Sequence, residues 1–244
     1  MGEDLFSIKS KQIVVTGSNR GNGLAIATGL IQHGAKVLRI DRHFDSDIGA
    51  IDIVFDLSNI DLLPELYSQI YKAFNRVDGL VNNAGISLAS SKPYEDLGVF
   101  KQTLGVNLDA TFRLTSMLLE NMSINGGSVI NITSLGAELG FPNNPSYQIS
   151  KAGLRQMTKA IAKDWGHKNI RANNICPGYI RTKMTEKSFN DPEMNRQRLD
   201  RMLLNRWGES SDLVGPVIFL ISDASSYITG SDIYVDGGWM ANGL

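Results

Sequence analysis

The chain has 244 residues, 42 % hydrophobic and 20 % charged, a composition that fits a globular protein and excludes a disordered, collagen-like or disulfide-scaffold one. Its 24 basic residues meet 25 acidic ones for a formal charge of -1, so the electrostatic footprint of a nucleic-acid or anionic-membrane partner is missing. The lone cysteine, Cys176, excludes an intrachain disulfide and any zinc site built on two cysteines; His33, His43 and His167 share no metal-ligand spacing, so no metal is expected.

The first ten residues carry Glu3 and Asp4 without a long apolar core, unlike a signal peptide, and Phe6 stands where myristoylation needs Ser or Thr. Gln12 to Thr16 reads as a buried strand and Gly23 to His33 as a helix. Short apolar runs follow at Lys36 to Ile40 and Ile51 to Phe55, then a helix over Ile60 to Phe74 and a strand at Gly79 to Asn82. A long helix is predicted over Phe100 to Met122, a β-branched strand at Ser128 to Ile132, and a helix over Tyr147 to Gly166. Ala172 to Ile175, Asp212 to Ser222 and Asp232 to Val235 complete the series as strand, helix and strand. This alternation predicts an α/β fold, a doubly wound parallel sheet with helices on both faces, in a single domain over residues 1–244. The polar stretch from Thr182 to Trp207, with Pro192 inside it, is longer than an ordinary connection and is expected to be a substrate lid. No run approaches about 18 apolar residues, so no membrane span is expected. Asn121-Met122-Ser123 and Asn131-Ile132-Thr133 fit the glycosylation pattern without a secretory signal beside them, and the expected location is the cytoplasm.

The first strand runs into Thr16-Gly17-Ser18-Asn19-Arg20-Gly21-Asn22-Gly23. Glycines between a strand and a helix allow a sharp turn and let the backbone approach a diphosphate, while the helix start presents free N–H groups and a positive dipole end. The strand before and helix after supply the context that a glycine pattern by itself lacks. The second strand ends at Asp41, placed to accept hydrogen bonds from an adenosine ribose and to repel a 2′-phosphate. Two charges about 4 Å apart at an effective dielectric near 20 interact by about 4 kcal/mol, enough to decide cofactor choice. Arg20 and Arg42 argue the other way, since either could pair with a 2′-phosphate. Asp41 should lie closest to the ribose, so NAD is expected ahead of NADP.

Tyr147 and Lys151 stand four residues apart, on one face of the predicted helix. A lysine ammonium there is expected to favour the phenolate and lower the tyrosine pKa toward working pH, making Tyr147 a general acid/base for a secondary alcohol. Ser134 ends the preceding strand.

With these motifs the chain resembles the classical short-chain dehydrogenase/reductase family. Carrying the resemblance are Thr16-Gly17-x-x-x-Gly21-x-Gly23, Asn82-Asn83-Ala84-Gly85, Asn107, Ser134, Tyr147-x-x-x-Lys151, Pro177-Gly178 and Val235-Asp236-Gly237-Gly238. They span nearly the whole chain in family order, and their joint occurrence is specific although each alone is not. Tyr227-Ile228-Thr229-Gly230 is similar to the 3-oxoacyl-carrier-protein reductase branch and its sugar and polyol dehydrogenase neighbours.

The resemblance implies a catalytic set of Asn107, Ser134, Tyr147 and Lys151. Ser134 would bind the substrate oxygen, Lys151 would also hold the nicotinamide ribose, and Asn107 would hold a water in a proton relay. It implies that Asn83, Ala84 and Gly85 line the adenosine-ribose side and that Asp56 and Leu57 meet the adenine. Pro177, Gly178, Ile180 and Thr182 would meet the nicotinamide and its phosphate, and the turn residues Gly17, Asn19, Arg20, Gly21, Asn22 and Gly23 complete the cofactor set with Asp41 and Arg42. It implies a homotetramer of 222 symmetry packed through the helices Phe100 to Met122 and Tyr147 to Gly166.

Two positions depart from the pattern. Asn22 replaces an apolar residue and could meet the carboxamide, the phosphate or water; Gln148 replaces a small one and is given no role. Around the expected substrate, Glu138, Phe141, Asn143 and Asn144 suit a small hydroxylated molecule, while Met184, Phe189 and Met202 could cover an acyl chain. The expected function is hydride transfer between NAD(H) and a secondary alcohol or ketone, such as a sugar or polyol. The alternatives are an NADPH-dependent 3-oxoacyl-carrier-protein reductase and a non-catalytic nucleotide sensor on the same fold.

Overall fold

Seven parallel strands join edge to edge in the order β3-β2-β1-β4-β5-β6-β7 in the computed structural model. The structure describes residues 4–122 and 124–242; Glu3 and the Ser123 of the first sequon lie outside the described residues. The strands are β1 (Gln12–Thr16), β2 (Lys36–Asp41), β3 (Ile51–Val54), β4 (Gly79–Asn82), β5 (Gly127–Ile132), β6 (Ile170–Pro177) and β7 (Asp232–Val235). The helices are α1 (Gly21–Gln32), α2 (Leu63–Ala73), α3 (Leu97–Leu104), α4 (Thr111–Met122), α5 (Pro145–Trp165), α6 (Glu186–Asn190), α7 (Pro192–Leu199) and α8 (Val214–Ile221). This is the expected Rossmann-type doubly wound sheet.

Alternation along each strand builds two cores. In β1, Val14 faces the core shared with α2, α4 and α5, whereas Ile13 and Val15 face the core shared with α1 and α8. Leu63, Leu66 and Ile70 of α2 and Leu114, Leu118 and Met122 of α4 fill the first; Ile26 and Leu30 of α1 and Val217, Leu220 and Ile221 of α8 fill the second. A third, smaller cluster packs Met202 and Trp207 against Leu135 and Trp239, which places the far end of the expected lid beside the end of β5.

Several elements differ from expectation: the helix expected from Ile60 begins as a 3₁₀ turn, Ile60–Leu62, and the expected lid carries the short helices α6 and α7. The long helix is interrupted by a π-helical turn at Gly105–Ala110, between α3 and α4. The helix expected from Asp212 begins as a 3₁₀ turn, Ser210–Leu213, before α8. The strand order reverses between β1 and β4, and that switch point is where open α/β sheets bind ligands, beyond the carboxyl ends of the strands.

Candidate active site

The glycine turn closes against the end of β4. Asn83 Nδ2 donates to the carbonyls of Thr16 at 3.0 Å and Gly17 at 2.8 Å, and Thr16 Oγ1 accepts from the N–H groups of Asn83 and Ala84, both at 3.1 Å. Gly17 has φ +64°, and a Cβ there would lie 2.6 Å from Ala84 Cα. A Cβ on Gly23 would collide with the Gly17 carbonyl, so neither position admits a side chain. The first turn of α1 has neither a side-chain cap nor an acidic residue, which leaves its N–H groups for an anion. These features fit a dinucleotide diphosphate.

Asp41, at the end of β2, sits against this turn. Its Oδ2 accepts from the Asn19 N–H at 2.9 Å and its Oδ1 from the Arg42 N–H at 2.8 Å. Arg20 and Arg42 are both exposed. The Phe55 N–H donates to the Asp41 carbonyl at 2.8 Å, which brings Asp56 and Leu57 to the same edge of the sheet. On the other side, the Thr182 methyl lies 3.7 Å from where a Gly21 Cβ would stand, and Ile180 is buried beside Gly208. Asn22 Oδ1 accepts from Ser210 Oγ at 2.9 Å, a partner the sequence did not indicate. Gly178 packs directly on Asp236, at the foot of the same crevice.

Ser134 leaves β5 in extended conformation and accepts from the Gly136 N–H at 3.1 Å. Tyr147 and Lys151 project from the start of α5, the Lys151 Nζ 5.8 Å from the Tyr147 ring centre. Nζ donates to the Ile132 carbonyl at 2.7 Å. Asn107 sits in the π-helical turn, where its Oδ1 accepts from the Ile86 N–H at 2.8 Å and its Nδ2 donates to the Ile86 carbonyl at 2.9 Å and to Ser150 Oγ at 3.0 Å. Ser150 Oγ donates in turn to the Tyr147 carbonyl at 2.7 Å. The four expected catalytic residues therefore converge, with Gly85 against both: a Cβ there would lie 3.4 Å from Asn107 Oδ1 and from Lys151 Nζ.

The electrostatics correct one expectation. Burial pushes the Tyr147 phenol above its usual range, and the Ser134 hydrogen bond only partly offsets this. Burial also lowers Lys151 to about 8. Desolvation is the dominant influence on both groups, against the lowering of the tyrosine expected from the lysine.

On the substrate side, Gln148 does what no sequence signal announced. It accepts from the Phe141 N–H at 2.8 Å and donates to the carbonyls of Phe141 at 2.7 Å and Asn144 at 2.9 Å. Asn144 Nδ2 donates to Ser87 Oγ at 2.8 Å, so the loop before α5 is fastened at both ends. Phe141 meets Tyr179 edge to face, and Tyr179 packs on Trp207 and Trp239 at ring separations of 5.4 and 4.9 Å. Phe189 and Met202 are consumed by this packing, leaving Met184 exposed. Glu138 accepts from Tyr234 Oη and pairs with Arg155 at 3.3 Å, and Asn143 holds a left-handed turn at φ +63°. Cys176 is buried beside Thr133, and burial pushes its thiol to about 11, the environment of an inert packing residue. Among the described residues no group of three His, Cys, Asp or Glu could hold a metal, and no helix is long and apolar enough to cross a membrane.

The chain is similar in sequence and in overall structure to known proteins. Residues 17–240 match the family described as enoyl-(acyl carrier protein) reductase. The chain is 34 % identical to 2-dehydro-3-deoxy-D-gluconate 5-dehydrogenase of Escherichia coli (strain K12), over 97 % of this chain and 98 % of that enzyme. It is 33 % identical to gluconate 5-dehydrogenase of Gluconobacter oxydans (strain 621H), over 96 % of each. A gluconate 5-dehydrogenase of Burkholderia cenocepacia J2315, solved with NADP and tartrate, superposes with a TM-score of 0.90 at 30 % identity, over 98 % of both chains.

Proposed function

The chain belongs to the classical short-chain dehydrogenase/reductase family, on its sugar-dehydrogenase branch, and from that premise we propose that it interconverts a secondary alcohol and ketone of a sugar acid using NAD(H). The observation that carries the catalytic reading is the convergence of Ser134, Tyr147, Lys151 and Asn107 at the end of β5, joined through Ser150. Bound on the glycine turn, the nicotinamide dinucleotide supplies hydride donation or acceptance at its ring C4. Ser134 Oγ holds the substrate oxygen. Tyr147 donates its phenolic proton to that oxygen in ketone reduction, and alcohol oxidation runs through the phenolate, which takes the proton from the substrate hydroxyl. The raised tyrosine pKa keeps the proton donor loaded at neutral pH. Lys151 and Asn107 hold the nicotinamide ribose and the far end of the proton path.

NAD(H) is preferred because the Asp41 carboxylate is fixed at the ribose side of the turn while Arg20 and Arg42 are free in solvent. Solved relatives carry NADP, which supports a nicotinamide dinucleotide at this site, and the choice of NAD(H) rests on Asp41. Asp56, Leu57, Asn83, Ala84, Gly85, Pro177, Gly178, Ile180 and Thr182 complete the cofactor site.

The chain acts as one catalytic domain whose segment 182–207 is the substrate lid. It works in the cytoplasm on a small molecule, as a homotetramer packed through α4 and α5. An exposed Phe112 and a groove of about 200 Å³ between these helices, lined by Leu119, Met157, Ile161 and Trp165, support that assembly.

The sugar-acid relatives favour this substrate over a 3-oxoacyl thioester, and the complete catalytic set speaks against a nucleotide sensor. A panel of aldonic acids and their keto forms, neutral polyols and 3-oxoacyl thioesters, assayed with NAD(H) and NADP(H) side by side, tests it. Turnover of a sugar acid with NAD(H) is expected; preference for a thioester with NADPH would contradict the proposal.

A further inference from the structure

Parallel neighbouring strands are ordinarily joined by a crossover of about a dozen or more residues, usually a helix. Between β2 and β3 this chain crosses with residues 42–50 and no helix. The loop is shaped from within by Arg39, a β2 residue whose side chain is 0 % exposed. Its Nε donates to Asp52 Oδ1 at 2.7 Å and its Nη2 to the Ser46 carbonyl at 2.8 Å, and its guanidinium carbon lies 4.5 Å from the centre of the Phe44 ring. Asp52 balances the buried charge, and the residues on either side of Asp45 are fastened to the sheet.

Asp45 is fastened a second time, to the phosphate turn. Its N–H donates to Asn19 Oδ1 and its Oδ2 accepts from Asn19 Nδ2, both at 2.9 Å. Asn19 is 3 % exposed, and its own N–H donates to Asp41 Oδ2 at 2.9 Å. One buried asparagine thus carries a carboxylate on its backbone and another on its side chain.

We infer that Asp45 is a second specificity-determining carboxylate of the cofactor site, acting with Asp41 against a 2′-phosphate on the adenosine ribose. The inference rests on the reading in which Asp41 meets that ribose. Unlike Asp41, which ends a strand, Asp45 reaches the site only because the crossover helix is missing and Arg39 holds the loop inward. The reciprocal bonds fix the Asn19 amide against Asp45 and engage one of its two N–H donors. Of the charged groups nearby, His43 of the same loop places its Nε2 3.7 Å from Asp45 Oδ1, Asp41 is joined to Asp45 through Asn19, and Arg20 and Arg42 are exposed.

Asp45→Asn retains an oxygen that can accept from Asn19 and removes only the charge. Calorimetric titration of the full chain with NAD⁺ and with NADP⁺ at pH 8, alongside Asp41→Asn, is the test. For Asp45→Asn the NADP⁺ Kd is expected to fall roughly five- to tenfold, the interaction of a phosphate with one partly screened charge. The NAD⁺ Kd should stay within about twofold, and the gain should shrink at about 0.5 M salt because Asp45 is exposed. An unchanged NADP⁺ Kd, or equal weakening of both cofactors, overturns the inference. Wild-type preference for NADP⁺ would instead contradict the NAD(H) reading, and the change on substitution is read independently of it.

Discussion

Lys151 shows how the site works against the stability of the fold. It is 4 % exposed and pairs with no carboxylate; its Nζ bonds one backbone carbonyl. Burial lowers its pKa to about 8 from the ordinary 10.5. Between those values the unfolded chain binds more protons than the folded one, so this group's contribution makes stability rise with pH through that window. Below pH 8 the full penalty for the buried ammonium is present. Lys151→Met is therefore expected to be more stable than wild type at pH 7, by about 1–3 kcal/mol after allowing for the lost bond to Ile132. The gap should close near pH 10.5, and turnover should be lost at every pH. Urea unfolding of both proteins at the two pH values checks this; a less stable variant at pH 7 would show that the ammonium is not penalised. The spacing of Tyr147 and Lys151 was legible because four residues make about one helical turn. Their desolvation was not, because it depends on β5 and the π-helical turn, which lie far away in sequence. Asn22 was opaque for the same reason, its partner being Ser210.

At the scale of elements, sequence periodicity located every strand and most helices, with ends displaced by a few residues. It missed the π-helical turn because one wider turn barely disturbs an apolar stripe. That turn matters: it directs Asn107 to the backbone of Ile86 and to Ser150 while α4 continues beyond it. Gln148 was equally silent, since its work is done on the backbone of a loop whose shape is unknown until α5 is placed. Helices α4 and α5 also carry the outer apolar face assigned to assembly. Phe112 is 55 % exposed there. Phe112→Asp is expected to shift sedimentation toward smaller species, because a carboxylate desolvated at a subunit contact costs several kcal/mol. Sedimentation of wild type as a monomer would contradict the assembly itself.

For the whole molecule, the parallel order was legible from the alternation of apolar runs and amphipathic stretches, and the glycine turn marked where it would bind a dinucleotide. The sequence could not reveal how the expected lid is anchored. It leaves β6 beside Gly21 through Thr182, and just past its end Ser210 bonds Asn22, so both ends of the segment meet the phosphate-binding turn. Between them, Trp207, Phe189 and Met202 pack against Tyr179 and Trp239 near Ser134. The glycine turn, the segment 182–207 and α5 are thus mechanically joined around one crevice, where Tyr147 is the proposed proton-transferring group. The most direct measurement is of Tyr147→Phe, comparing NAD⁺ binding with sugar-acid oxidation. Unchanged cofactor affinity with turnover reduced by at least about a hundredfold is the predicted result, in line with the general acid/base contribution; turnover near the wild-type rate would contradict the account.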